Sequence, residues 1–171
     1  MLKQNMREFM RQRIGTPTGT LTVGDEALAN MMRFQQNRPA DKEAGGQLFA
    51  RFIGPDVHII EATVPSLLDS RGRFSFRPNR LLQRKQIAER YARGLHFVGD
   101  WHTHPEVHPA PSSEDIVSMQ DCFRRSTHDL GAFIMFILGT AQPPEGCYMG
   151  MLNGACVRSL SAAGATPLRI D

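Results

Sequence analysis

Cysteine is scarce in this 171-residue sequence, with only Cys122, Cys147 and Cys156. An odd, dispersed set excludes a disulfide framework and predicts a reducing compartment, the cytoplasm. No Cys-x-x-Cys pair occurs, which excludes a cysteine-built zinc site. Long apolar runs are also missing. The longest clear one, Phe133 to Leu138, is strand-sized and far below the ~20 residues that span a bilayer, so no membrane role is expected. The basic start, MLKQNMREFMRQRIG, has no continuous apolar stretch and does not read as a secretory signal. Lysine is rare, 3 residues against 17 arginines, and the formal net charge is +3. That charge is too small to identify a nucleic-acid binder. With 41% hydrophobic and 22% charged residues, the composition is that of one ordinary globular domain.

The punctuation of the chain predicts its organisation. Residues 1–24 read as an N-terminal extension, with Leu2, Met6, Phe9 and Met10 at helical spacing. The domain is expected over 25–162 and a small, polar, flexible tail over 163–171. Asp25 is expected to cap a helix to about Gln36. GGQLFARFIG and VHIIEATVP read as a hairpin around Gly54-Pro55-Asp56. RFSFRP reads as a short third strand. Pro78 is expected in the first turn of a helix to about Arg93, with Leu81, Leu82, Ile87, Ala88 and Tyr91 as its apolar stripe. Further strands are predicted over Leu95 to Thr103, Leu130 to Gly139, Tyr148 to Leu152 and Ala155 to Leu160, the last two around an Asn153-Gly154 turn. Ser112 or Ser113 is expected to cap a helix to about Arg125. The order predicts an α/β (α+β mixed) fold, a central mixed sheet flanked by helices.

The chemistry is concentrated in HTHPEVHPAPSSED, residues 102–115. His102 and His104 are two apart at a strand end. Alternation puts both imidazoles on one side, with backbones ~6–7 Å apart, so two nitrogens can converge on one cation. The proline-rich loop turns the chain back, and Asp115 in the first turn of the next helix can add a carboxylate. Two imidazoles and a carboxylate suit Zn2+, and three protein ligands leave a position for water. His108 is the rival third ligand, inside the loop with no regular element to orient it. Asp100 shares the parity of the histidines and is a candidate to orient an imidazole N–H. Trp101 points the other way, to the core. Cys122 reads as a small buried hydrophobe.

The pattern His102-x-His104-Pro105, six residues, then Ser112-x-x-Asp115 resembles the JAMM (JAB, MPN+) metalloprotease motif, without a departure in spacing. Glu43-Ala-Gly-Gly-Gln-Leu-Phe resembles the family's upstream glutamate and glycine-rich strand, and the likeness spans roughly residues 25 to 160. The resemblance implies the JAB/MPN, cytidine-deaminase-like architecture. It implies one catalytic Zn2+ ion on His102, His104 and Asp115. It makes Glu43 the carboxylate that takes a proton from water and passes it to the leaving amine. It gives the Ser112 hydroxyl a part in holding the oxyanion. From the residues alone Glu61, Glu106 and Glu114 stand equal to Glu43, and Ser112 is equally a plain helix cap.

Family members hydrolyse isopeptide or peptide bonds after the C-terminal glycine of ubiquitin or ubiquitin-like proteins. EAGGQLFARF, RFSFRPNR, GLHFVGDWHTHPE, PSSEDIVSM and GTAQPPEG resemble, more closely, the short bacterial JAB proteins of mobile elements and CBASS anti-phage operons. Those stand beside an E1/E2-like protein and a cyclic-oligonucleotide synthase (CD-NTase), whose C-terminus is attached to targets and released again. The resemblance implies a deconjugating isopeptidase with a CD-NTase as protein substrate. The alternatives are a peptidase trimming the tail of a sulfur-carrier or ubiquitin-like protein, a non-catalytic MPN scaffold, and a nucleic-acid module resting on the basic run alone. That run, Ser70 to Leu95, holds eight bases and one acid, Glu89, and is a candidate docking surface or a solvated helix face.

Overall fold

The computed structural model describes residues 11–13 and 19–160, the first three by their backbone only. The helix expected on Leu2 to Met10 and the tail at 163–171 lie outside the described residues. Three helices and ten strands follow: β1 (Arg11–Arg13), β2 (Thr20–Val23), α1 (Asp25–Met32), β3 (Gly45–Ile53), β4 (Asp56–Ala62), β5 (Ser70–Arg71), β6 (Phe76–Arg77), α2 (Arg80–Tyr91), β7 (His96–Thr103), α3 (Ser113–Arg125), β8 (Phe133–Leu138), β9 (Cys147–Leu152) and β10 (Val157–Ser159).

Eight strands form one mixed sheet in the order β1-β2-β4-β3-β7-β8-β9-β10, and β5 pairs with β6 in a separate ribbon. One interior strand, β8, FIMFIL, is buried at every position. A strand buried on both faces lies between two layers. Ile134, Phe136 and Leu138 join the cluster that holds Leu28 and Met31 of α1, while Phe133, Met135 and Ile137 join Met119 of α3 on the other face. β7 runs parallel to β8 and antiparallel to β3. The β3–β7 register slips between Leu48 and Phe49, opposite Gly99, whose φ is 148°. A Cβ there would strike the Ile134 backbone, so glycine is required at this bulge. The slip changes which face each β7 side chain meets: Phe97 packs with Phe133 on the α3 side, whereas both Val98 and Trp101 reach the α1 side.

Several expectations need correction. The expected extension contributes β2, which pairs in parallel with β4 and buries Leu21 and Val23, so the folded sheet begins before residue 25. Gly24, not Asp25, is the N-cap of α1, and the helix stops at Met32. RFSFRP is not one strand, because Gly72 N–H donates to Ser75 O (2.8 Å) and turns the chain. Pro78 lies outside α2, whose cap is Asn79, its Oδ1 accepting from Leu82 N (3.0 Å). The expected stripe of α2 is largely outward: Leu81 is 76% and Tyr91 67% exposed, and Gln83 and Arg90 turn inward instead. Arg90 pairs with Glu61 of β4 and stacks over the Phe49 ring. The Asn153-Gly154 hairpin forms, but Gly154 does not take positive φ. Asn153 Oδ1 instead accepts from Ala155 N and Cys156 N, giving a wider loop.

Candidate metal centre and active site

The C-terminal end of β7 carries His102 between its two neighbours, opposite Gly45 of β3 and Ile137 of β8. His104 N–H donates to Leu138 O (2.8 Å), which extends the pairing one residue past the strand. The proline loop is then pinned to the chain after β8. Glu106 O accepts from Thr140 N (2.8 Å) and Val107 O from Ala141 N (3.3 Å).

α3 returns to the histidines through a capping box. Ser112 Oγ accepts from Asp115 N (3.1 Å), and Asp115 Oδ2 accepts from Ser112 N (2.7 Å) and from the Ser112 hydroxyl (2.7 Å). Ser112 is therefore the cap and Ser113 the first helical residue. The box does more than stop fraying, because it fixes where the Asp115 carboxylate points.

That direction is the two imidazoles. His102 Nε2 and His104 Nε2 lie 3.1 Å apart, Asp115 Oδ1 lies 3.4 Å from the first and Asp115 Oδ2 3.4 Å from the second. A tetrahedral zinc ion with arms of ~2.0–2.1 Å separates its ligand atoms by about 3.3 Å. The three side chains fit such an ion. Burial pushes Asp115 up, but both imidazoles and the Ser112 hydroxyl together outweigh it and hold the carboxyl well below the usual range. An ionised carboxylate with two imidazoles is the donor set that a borderline cation takes.

Glu43 completes the constellation. It is nearly buried, 8% exposed, and one ligand atom each from Glu43, His102 and His104 lie within 4.8 Å of one another, a group able to hold a metal ion. Burial pushes its carboxyl up to about 7, against the opposing pull of His104. A carboxylate at that value can accept and release a proton near neutral pH.

The mounting of Glu43 involves residues that motif reading did not single out for the site. Glu43 N donates to Gly72 O (2.7 Å), and Arg71 Nε donates to Glu43 O (2.8 Å). Thr103, between the two histidines but facing away from them, donates its N–H to Ala44 O (2.8 Å) and accepts from Ala44 N at Oγ1 (2.9 Å). Its hydroxyl donates to Gln36 Oε1 (3.0 Å), and Gln36 Nε2 donates to Arg73 O (2.8 Å). Only Thr103 had a visible signal, its place inside His-x-His.

The other candidates sit elsewhere. His108 Nδ1 lies 2.9 Å from Glu145 O and takes no part in the convergence. Glu61 pairs with Arg90 and Arg93. Glu114 is exposed in the first turn of α3, whereas Glu106 Oε2 approaches His104 Nδ1 at 3.3 Å. Asp100 makes no hydrogen bond to either imidazole among the described residues. Its Oδ1 is buried without a partner, and burial pushes the carboxyl up to about 7 despite Arg80. Trp101 is core, its Nε1 donating to Thr63 O (2.8 Å). Cys122 is only half-buried, at the edge of the α3 cluster. In the basic run, Arg71, Arg90 and Arg93 have partners within the chain, and Arg93 is still 59% exposed.

The model of the family described as prokaryotic homologs of the JAB domain matches residues 25–149. Curated relatives named CD-NTase/cGAS isopeptidase align as well. That of Enterobacter hormaechei subsp. hoffmannii (strain UCI 50) is 31% identical over 130 residues, 75% of this chain and 68% of the relative. That of Pseudomonas aeruginosa (strain BWHPSA011 / Pa011) is 35% identical over 98 residues, 56% of this chain and 62% of the relative. That of Escherichia coli (strain TW11681) is 26% identical over 101 residues, 57% of this chain and 65% of the relative. The chain thus spans about two thirds of these relatives' length, and slightly less for the last two. The solution structure of protein DSY2949 from Desulfitobacterium hafniense shares the fold, with a TM-score of 0.56 at 19% identity over 87% of this chain and 90% of that one. On the family match and its likeness to the Enterobacter relative, this chain belongs to the prokaryotic JAB-domain family.

Proposed function

We propose that this chain is a zinc-dependent isopeptidase that releases a CD-NTase from the proteins to which its C-terminus is joined. The observation that carries the reading is the convergence of His102 Nε2 and His104 Nε2, 3.1 Å apart, with the two Asp115 carboxylate oxygens, each 3.4 Å from one of them, beside the buried Glu43. A scaffold without catalysis has no need of this set. The names of the relatives support the substrate, and a part in a CBASS anti-phage system beside an E1/E2-like protein is carried over from the sequence resemblance. Three free cysteines suit the cytoplasm, and no helix among the described residues is long and apolar enough to cross a membrane.

His102, His104 and Asp115 would hold the ion. Bound there, Zn2+ would supply Lewis acidity, which makes water a nucleophile at neutral pH and polarises a carbonyl. The Glu43 carboxylate takes the proton of the attacking water. Water oxygen adds to the carbonyl carbon of the CD-NTase's last residue. Glu43 then delivers the proton to the departing lysine amine, and the C–N bond breaks to leave a free carboxyl terminus. Ser112 has one hydroxyl proton, now given to Asp115 Oδ2. Its donation to the oxyanion requires that proton to turn from the ligand to the substrate.

The test is an assay on a CD-NTase carrying a protein fused after its last residue, with elemental analysis of the purified enzyme. Cleavage at the junction by protein holding one zinc ion per chain is expected. Cleavage of a C-terminally extended sulfur carrier in its place moves the substrate to that class. Full activity without zinc refutes the metallopeptidase reading.

A further inference from the structure

We infer that Arg71 is a positioning residue for the Glu43 carboxylate, and not part of a docking surface. The inference rests on the proposed role of Glu43 as the proton carrier.

Glu43 stands between two peptide units, and all four of their polar groups are bonded. Lys42 O accepts from Arg71 Nη2 (3.1 Å), and Glu43 N donates to Gly72 O (2.7 Å). Glu43 O accepts from Arg71 Nε (2.8 Å), and Ala44 N donates to Thr103 Oγ1 (2.9 Å). Three of the four therefore come from the adjacent residues Arg71 and Gly72. With both peptide planes held, the direction of the Glu43 Cα–Cβ bond is fixed, and with it the reach of the carboxylate. The segment before β3 has no ladder on that side, because β3 begins at Gly45. The arginine supplies what the ladder does not.

The side chain is itself held. Its guanidinium carbon lies 5.8 Å from the centre of the Phe34 ring, and it forms no ion pair among the described residues. A cation committed to two neutral carbonyls, with no acid as partner, is doing directional work. The two carbonyls need two donors in a fixed fork, which a lysine ammonium does not reproduce. Arg71 also belongs to β5, so the β5–β6 ribbon must be folded for the carboxylate to be in place.

The experiment compares wild type, Glu43→Ala, Arg71→Ala and Arg71→Lys, all as the full chain loaded with zinc, on the CD-NTase fusion. Wild type must cleave and Glu43→Ala must not. If wild type itself is inert, the functional reading fails, and if Glu43→Ala cleaves normally, Glu43 is not the base. Given that baseline, Arg71→Ala is expected to lower kcat by about tenfold or more, with KM within about twofold. Its zinc content and resistance to a chelator should match wild type. Arg71→Lys should lose several-fold in kcat. Millimolar guanidinium should restore part of the Arg71→Ala rate and leave wild type and Glu43→Ala unchanged. A raised KM at unchanged kcat would return Arg71 to substrate docking and overturn the inference. Zinc loss in step with the rate overturns it as well. If Arg71→Ala does not fold, Arg71→Lys decides, and a wild-type kcat there overturns the claim.

Discussion

The proposed active site has two halves built in different ways. The ligand half, His102 to Asp115, is one short stretch of chain. A strand end orients the histidines, and a capping box aims the aspartate. The base half is a single glutamate whose place depends on residues 28 to 60 positions away in sequence. The first half is local and each part has an element to orient it. The second is a meeting point, where the main chain around Glu43 is held by the Arg71 guanidinium, the Gly72 carbonyl and the Thr103 hydroxyl. Metal retention therefore reports on one half and turnover on both.

The sharpest division comes from removing a ligand. His102→Ala, His104→Ala or Asp115→Ala should lose zinc and lower cleavage by ~10³-fold or more, since the nucleophile depends on the metal. Glu43→Ala should keep one zinc ion per chain and still lose ~10²–10⁴-fold in kcat. Elemental analysis beside the cleavage assay reads both. Zinc loss in Glu43→Ala would merge the two halves into one ligand set and break the comparison.

Ser112 belongs to the ligand half by position and to the reaction by assignment. As a cap it contributes ~1 kcal/mol of stability. As an oxyanion donor it contributes ~2.7–4 kcal/mol, a factor of ~10²–10³ in kcat. Ser112→Ala should show both, a melting point lowered by a few degrees and a rate lowered by about a hundredfold. A lowered melting point at an unchanged rate would leave Ser112 as the cap alone.

The same division explains what was legible. The strands around the site were readable because β3, β4, β7 and β8 carry the right period and clear turn residues. The convergence of His102, His104 and Asp115 was readable because their spacing is local. Gln36, Arg71 and Thr103 act on Glu43 through backbone groups, and a backbone carbonyl has no letter in the sequence. The α2 stripe was misread for a related reason. Period predicts which residues share a helix face, not which groups wait on the opposing surface, and here Glu61 and the Phe49 ring hold Arg90 inward. In the arginine-rich run a charge count does not show which cations are already paired, as Arg71 and Arg90 are.

Thr103 joins the two halves and allows the smallest, most informative test. It lies between the two proposed metal ligands His102 and His104, yet it is wholly buried and faces the other way, bonding Ala44 and Gln36. Thr103→Val preserves shape and strand pairing and removes only the hydroxyl. Ala44 N–H and Gln36 Oε1 then lose a partner in a buried setting, which costs ~1–3 kcal/mol for each group left unsatisfied. Valine keeps the Thr103 N–H bond to Ala44 O, so the strands should stay in register. Zinc affinity should match wild type, because neither imidazole uses that hydroxyl. The melting point should fall, and kcat should drop several-fold as Glu43 loosens. If zinc affinity falls as steeply as kcat, the strand end and the base move as one body, and the distinction between a local half and an assembled half fails at this residue.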